Sequence, residues 1–124
     1  MSRARGLALQ NALARYLQAW WPHAESAGTG RNGRDILGTP GVAFENKTSF
    51  AGTSPRAALK QAVDNAGGDI PALVYWPPRD KNSPSERGVG ARRPHEAIAM
   101  LPLPTLMWLL ESAGYAPARK DQAS

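Results

Sequence analysis

The sequence predicts an α/β fold in which a mixed central sheet is flanked by helices. Two features point to it. Apolar residues recur at helical spacing near both ends of the chain and again in its middle. Residues 70–76 (Ile-Pro-Ala-Leu-Val-Tyr-Trp) instead form a nearly continuous apolar run, the pattern of a strand buried on both faces. With 124 residues the chain can bury one modest core. Residues 1–116 read as that single domain, with 117–124 as a flexible C-terminal tail.

Residues 4–20 form the first expected helix. Leu9, Leu13, Tyr16, Leu17 and Trp20 fall at i, i+4, i+7, i+8 and i+11, one stripe of a 3.6-residue period, and Pro22 ends it. Residues 23–26 read as a short strand. A glycine-rich basic loop follows over 28–34, which lacks the Lys-Ser/Thr of a phosphate-cradling P-loop. Asp35-Ile36-Leu37 reads as a strand and Gly38-Thr39-Pro40-Gly41 as turn chemistry, so 42–49 is expected to return as the second strand of a hairpin.

The second helix is clearly punctuated. Ser54 is an N-cap, Pro55 takes the first helical position and Gly67 is the stop; Ala58, Leu59, Ala62, Val63 and Ala66 are its expected buried face. The strand at 70–76 follows, with Pro71 at its beginning. Residues 77–94 form a polar, basic loop, 96–101 a last strand, and Pro104 opens a closing helix that carries Leu106, Met107, Leu109, Leu110 and Ala113. The expected order is helix, three strands, helix, two strands, helix. Trp20, Trp21, Trp76 and Trp108 are expected mostly in the core, with Trp21 alternatively at a dimer surface or near a DNA branch point.

Lysine and arginine number 15 against 10 acidic residues, a net charge of +5, which favours a polyanionic partner such as nucleic acid. The absence of cysteine excludes disulfides, thiolate-bound zinc and thiol catalysis. Two histidines, His23 and His95, make a histidine-rich metal site a poor expectation, and no apolar run approaches membrane-spanning length. The N-terminus lacks a signal-peptide pattern, so a cytoplasmic protein is the default.

The chemistry concentrates between Asp35 and Lys47. Alternate side chains on a strand share a face, so Glu45 and Lys47 project together while Val42, Phe44 and Asn46 face the other way. The hairpin is expected to bring Asp35 beside them. Two carboxylates next to an ammonium suit metal-dependent phosphodiester hydrolysis: the acids hold Mg²⁺ and the lysine orients or deprotonates the attacking water. Each residue also has a plainer reading, the aspartate as a turn residue and Glu-x-Lys as a solvated edge. His23 reads as a packing or surface residue, and His95 sits beside the basic loop.

These residues carry a resemblance. Arg5-Gly6 opening the first helix, Ala24-Glu25, Asp35-Ile36-x-Gly38-x-Pro40-Gly41, Glu45-x-Lys47, Gln61-x(3)-Asn65-Ala66, Leu73-Val74 and Leu109-Leu110-x(3)-Gly114-Tyr115 together resemble the PD-(D/E)xK nuclease superfamily. More narrowly, they are similar to the Holliday-junction-resolvase-type nucleases of actinobacteria and their phages. The resemblance implies a restriction-endonuclease-like fold and a Mg²⁺-dependent endodeoxyribonuclease, with Mn²⁺ able to substitute. Its substrate would be branched DNA, and its setting a bacterial cell or a phage-infected host.

Carried over by that resemblance, Asp35 and Glu45 bind the metal with the backbone carbonyl of Asn46, and Lys47 positions the water. Gln61 reads either as the helix glutamine that supports such sites or as an ordinary helix-face polar residue. Gln10 stands where many relatives have a metal-reaching glutamate, and Glu25 is a substitute acid; both are accessory candidates. DNA contacts fall to Arg3, Arg5, Arg31, Arg34, Lys60, Arg79, Lys81, Arg92 and Arg93. Cleavage of a symmetric junction needs two active sites, so a homodimer is expected. The alternatives are a nuclease of the same chemistry that nicks duplex or single-stranded DNA, and a DNA-binding module with weakened catalysis.

Overall fold

The computed structural model describes residues 2–28, 34–78 and 93–120. Along the chain the elements are helix α1 (Ser2–Leu17), strands β1 (Glu25–Ser26), β2 (Ile36–Leu37) and β3 (Val42–Lys47), helix α2 (Pro55–Ala66), strand β4 (Ile70–Tyr75), a 3₁₀ turn (Pro94–Glu96), strand β5 (Ile98–Met100) and helix α3 (Leu103–Ser112). The mixed α/β class expected from the patterning is what forms.

Strand β4 is the centre of a three-stranded sheet ordered β3-β4-β5, parallel to β3 and antiparallel to β5. Its residues Pro71, Ala72, Leu73 and Val74 are all buried, which accounts for the unbroken apolar run. The crossover from β3 to β4 is α2, and its termini match the sequence chemistry. Ser54 Oγ accepts from the Ala57 amide at 3.0 Å, Pro55 opens the helix, and Gly67 closes it at φ 57°.

The two helices take opposite faces of this sheet. On one, Leu9, Leu13, Ala14 and Leu17 of α1 pack with Ile36, Val74 and Trp76, and Trp21 and Phe44 complete the layer with rings 5.6 Å apart. On the other, Ala58 and Ala62 of α2 approach Leu73 and Glu45. Small side chains on α2 let it lie close to the strands and leave room for larger polar groups beside it.

Four expectations are corrected. The hairpin does not form: β2 pairs with β1 in a separate two-stranded sheet, Ser26 opposite Ile36, and β3 pairs with β4. Two residues of β2 are too short to satisfy two neighbours, and β4 supplies β3 with a longer ladder. Helix α1 stops at Leu17, whose carbonyl accepts from both Trp20 and Trp21 amides, so Trp20 lies beyond the helix and is 60% exposed. Tyr16 is likewise exposed and packs edge-on against Trp20 at 5.1 Å; Gln10 and Ala14 take the buried positions instead. On α2, Val63 is exposed while Ala58, Ala62 and Ala66 are buried. The closing helix buries no residue completely, and Trp108 is 56% exposed. Among the described residues no helix is long and apolar enough to cross a membrane.

Where the chain leaves β2 it passes close to the backbone of the segment between α1 and β1. Gly38 has φ 81°, and a β-carbon there would run into the His23 carbonyl group. The chain can turn out of β2 only where no side chain intervenes. Gly38→Ala combines a left-handed backbone with that clash and is expected to cost about 3 kcal/mol or more, read as a fall in the denaturation midpoint. A loss below about 1 kcal/mol would show that the approach relaxes freely.

Candidate active site

Asp35 sits one residue before β2, and its backbone carbonyl accepts from the Ala27 amide at 2.8 Å. Its side chain crosses to the other sheet. The Asn46 backbone amide donates to Asp35 Oδ2 at 2.7 Å, so a side chain occupies the edge of β3 that a hairpin partner would have taken. The Asn46 side chain points to the α1 face, as alternation requires. Its Oδ1 accepts from Trp76 Nε1 at 2.6 Å and its Nδ2 donates to the Gly6 carbonyl at 3.3 Å. The peptide that holds Asp35 is thus fastened from three directions.

Glu45 and Lys47 lie on the opposite face of β3, towards α2. Asp35, Glu45, Asn46 and Lys47 line one cavity of about 200 Å³ with Ala58, Gln61, Ala62 and Leu73. The three residues singled out for chemistry therefore converge, and Gln61 joins them from α2. The convergence arises through the Asp35–Asn46 bond and not through strand pairing.

The electrostatics of this cavity are strained by design of its neighbours. Burial first, and the adjacent Asp35 charge second, push the Glu45 carboxyl up from its ordinary 4.5 to about 7, against the easing effects of Asn65, Lys47 and Arg34. Burial also raises Asp35, opposed by the Asn46 amide, Lys47 and the Glu45 side chain. Glu45 Oε2 is buried and meets no hydrogen-bond partner. A buried oxygen of this kind costs about 1–3 kcal/mol unless something donates to it or coordinates it.

That unpartnered oxygen is the test of whether a divalent cation fits. Two half-buried acids that resist ionising side by side, with one buried oxygen unsatisfied, are the donor set that a hard cation would relieve. Asp35, Glu45 and the Asn46 carbonyl are the groups able to hold it. Among the described residues no cluster of three or more His, Cys, Asp or Glu forms, so the acidic component is this pair.

Other expected site residues lie elsewhere. The Gln10 amide donates to Ser26 Oγ at 2.8 Å and to the Gly28 carbonyl at 3.2 Å, so it braces β1 and does not line the cavity. Glu25 is exposed on β1 and does not line it either. Arg34 is committed to structure: it pairs with Asp69 at 2.8 Å and donates to the Ala66 carbonyl at 2.8 Å, closing the C-terminus of α2. Lys60 pairs with Asp64 one helical turn on, an exposed pair of little energetic weight. Arg93 is exposed, and its backbone amide is capped by Glu96 at 3.1 Å. Arg31, Arg79, Lys81 and Arg92 lie outside the described residues, as do the side chains of Arg3 and Arg5.

Asn65, named in the sequence only as part of the Gln61-x(3)-Asn65-Ala66 pattern and given no role there, hydrogen-bonds Glu45; it stands four residues after Gln61 and so on the same helix face. Trp76 is another such residue: its indole anchors the Asn46 side chain. No family model, curated protein or solved structure matches this chain. What the cavity can do rests on its own geometry.

The pKa of Glu45 has a stability consequence. The folded protein holds the Glu45 proton more tightly than the unfolded chain does. The resulting stabilisation is fully present below pH 4.5 and is lost as pH rises through about 7. Glu45→Gln, which keeps the shape and removes the charge, is expected to raise the Tm of metal-free protein at about pH 8 and to change it little at about pH 4. Equal effects at both pH values would refute the assignment.

Proposed function

We propose that this protein is a metal-dependent DNA endonuclease that hydrolyses phosphodiester bonds, with branched DNA such as a four-way junction as its substrate. The observation that carries the reading is the convergence of Asp35, Glu45 and Lys47 on one cavity in which a buried carboxylate oxygen has no partner. The resemblance of Asp35 through Lys47 to the PD-(D/E)xK nucleases agrees with it, and the order of elements suits a restriction-endonuclease-like core. The net charge of +5 suits a polyanionic substrate.

The roles follow from position. Asp35 and Glu45, with the Asn46 carbonyl, would hold Mg²⁺ or Mn²⁺, which when bound supplies positive charge to the scissile phosphate and the departing 3′ oxygen. Lys47 projects from the same face of β3 as Glu45 and orients a water for attack on phosphorus, leaving a 5′ phosphate. Gln61 and Asn65 present amides from α2: Asn65 holds Glu45, and Gln61 contacts the water or the phosphate. The Asn46 amide keeps Asp35 turned towards the cavity, and the Asn46–Trp76 bond keeps that amide in place.

Gln10 is turned away towards Ser26, which leaves the site with two acids and favours modest metal affinity. A binding module with weakened catalysis is the reading that this supports if cleavage fails.

The test is a panel of labelled four-way junction, flap, duplex and single-stranded DNAs with Mg²⁺ or Mn²⁺. Cleavage is expected, strongest on the branched substrates. Asp35→Ala and Lys47→Ala should each lower it by about 100-fold or more while DNA binding persists. Binding without cleavage under either metal would establish the non-catalytic module, and absence of both would end the nucleic-acid reading.

A further inference from the structure

Phe50 and Tyr75 form an aromatic pair at the Lys47 end of the active-site cavity, and neither holds a catalytic role. Their placement follows from the sheet. Strands β3 and β4 are parallel, with Glu45 opposite Leu73 and Lys47 opposite Tyr75. Neighbours in register lie about 4.8 Å apart and share a face. Leu73 and Lys47 both line the cavity, so Tyr75 stands on the cavity side of the sheet, next to the lysine. Val74 turns to the α1 layer instead. Phe50 reaches the same place from the segment that joins β3 to α2. Its ring meets that of Tyr75 with centroids 4.6 Å apart and planes tilted by 37°.

The pair is fixed but not enclosed. Tyr75 is laddered on both sides, to Lys47 and to Ile98, and the Trp76 amide donates to the Lys47 carbonyl at 2.9 Å. Phe50 opens a turn in which its carbonyl accepts from the Thr53 amide at 3.0 Å, and Ser49 Oγ accepts from the Ala51 amide at 3.0 Å. Rings anchored in this way lose little freedom on meeting a ligand. Both are only partly buried, whereas Trp76, next along the chain, is 1% exposed. Aromatic surface is thus left open beside the lysine. From Thr48 to Val63 the chain has no acidic residue, so a polyanion meets no like charge from this segment.

We propose that the Phe50–Tyr75 pair is a nucleobase subsite, which stacks an unpaired base of the strand that is cut. The proposal rests on the nuclease reading and narrows its substrate. Base–aromatic stacking needs a free face on the base. In continuous duplex both faces are covered by neighbouring bases, and exposing one costs unstacking energy; a base that is already single-stranded costs least. The pair is a specificity-determining element that favours a scissile phosphate flanked by an unpaired base. It is indifferent to which base that is, since every base presents a π-face. The plainer alternative is packing alone, with the rings supporting only the segment that leads into α2.

The experiment joins binding to cleavage, on a flap carrying fluorescent 2-aminopurine as its first unpaired base and on a duplex carrying the same label in a pair. Binding is measured without divalent metal, so that no cleavage intervenes. The full chain should quench the label in the flap and leave the duplex label unchanged. Tyr75→Leu and, separately, Phe50→Leu should abolish the quench and weaken flap binding by about tenfold, with duplex binding held within about twofold. Tyr75→Phe keeps the ring and should behave as wild type. With Mg²⁺ the leucine variants should raise KM on the flap by a similar factor and leave kcat little changed. A lowered Tm with equal weakening on both DNAs would assign the rings to packing and overturn the proposal. So would a quench that survives both leucine substitutions. A wild-type chain that cleaves the flap without quenching it would also overturn the subsite while the nuclease reading stands. Quenching without cleavage under Mg²⁺ or Mn²⁺ would keep the subsite and end the catalytic reading.

Discussion

The Asn46 amide donates to Asp35 Oδ2 across 2.7 Å, and through that bond the β1–β2 sheet is fastened to the edge of the β3-β4-β5 sheet. Both sheets are small, and β2 has only two residues. Strand pairing alone could not set the position of Asp35 relative to Glu45. A carboxylate accepting from a backbone amide is short and directional, and its partner is fixed in a parallel ladder opposite Val74. The α1 face reinforces the same peptide through Trp76, which is 1% exposed and so has little freedom to move. The acidic pair thus inherits its geometry from the best-packed part of the molecule.

That arrangement carries a cost, and the cost is informative. A protein selected for stability alone would gain by replacing two half-buried acids in contact with apolar groups. Here the acids are retained beside a lysine, and Glu45 is held near neutral protonation by burial and by Asp35. Helix α2 is built to tolerate them. Its alanines at 58 and 62 leave the cavity open, while Gln61 and Asn65 add amides along the same side. Strain concentrated at one cavity, with stability supplied elsewhere by the α1 layer, is the distribution expected of a functional site.

The closing helix shows the opposite imbalance. Among the described residues several of its apolar side chains stay exposed, whereas the cavity holds one buried oxygen, Glu45 Oε2, without a hydrogen-bond partner. The basic residues Arg34 and Lys60 are paired with carboxylates within the fold.

Much of this was readable in the sequence because it depends on local chemistry. The caps of α2 at Ser54, Pro55 and Gly67, the buried run of β4, and the shared face of Glu45 and Lys47 follow from neighbours within a few residues. The α/β class follows from their periods. Long-range choices were not readable. β2 turns to β1 and the Asp35 side chain takes the edge of β3 that a hairpin would have used, a choice that the apolar pattern of the chain does not record. The side of α1 that turns inward was decided by Trp76, Trp21 and Phe44, which displaced Tyr16 and Trp20 in favour of Gln10 and Ala14. Arg34 looked free for phosphate until the fold brought Asp69 and the Ala66 carbonyl to it. The sequence by itself singled out Asp35, Glu45 and Lys47, and the fold brings the three to one cavity. Only the tertiary structure decided how Asp35 reaches Glu45, since a carboxylate bound to a distant backbone amide leaves no periodic trace along the chain.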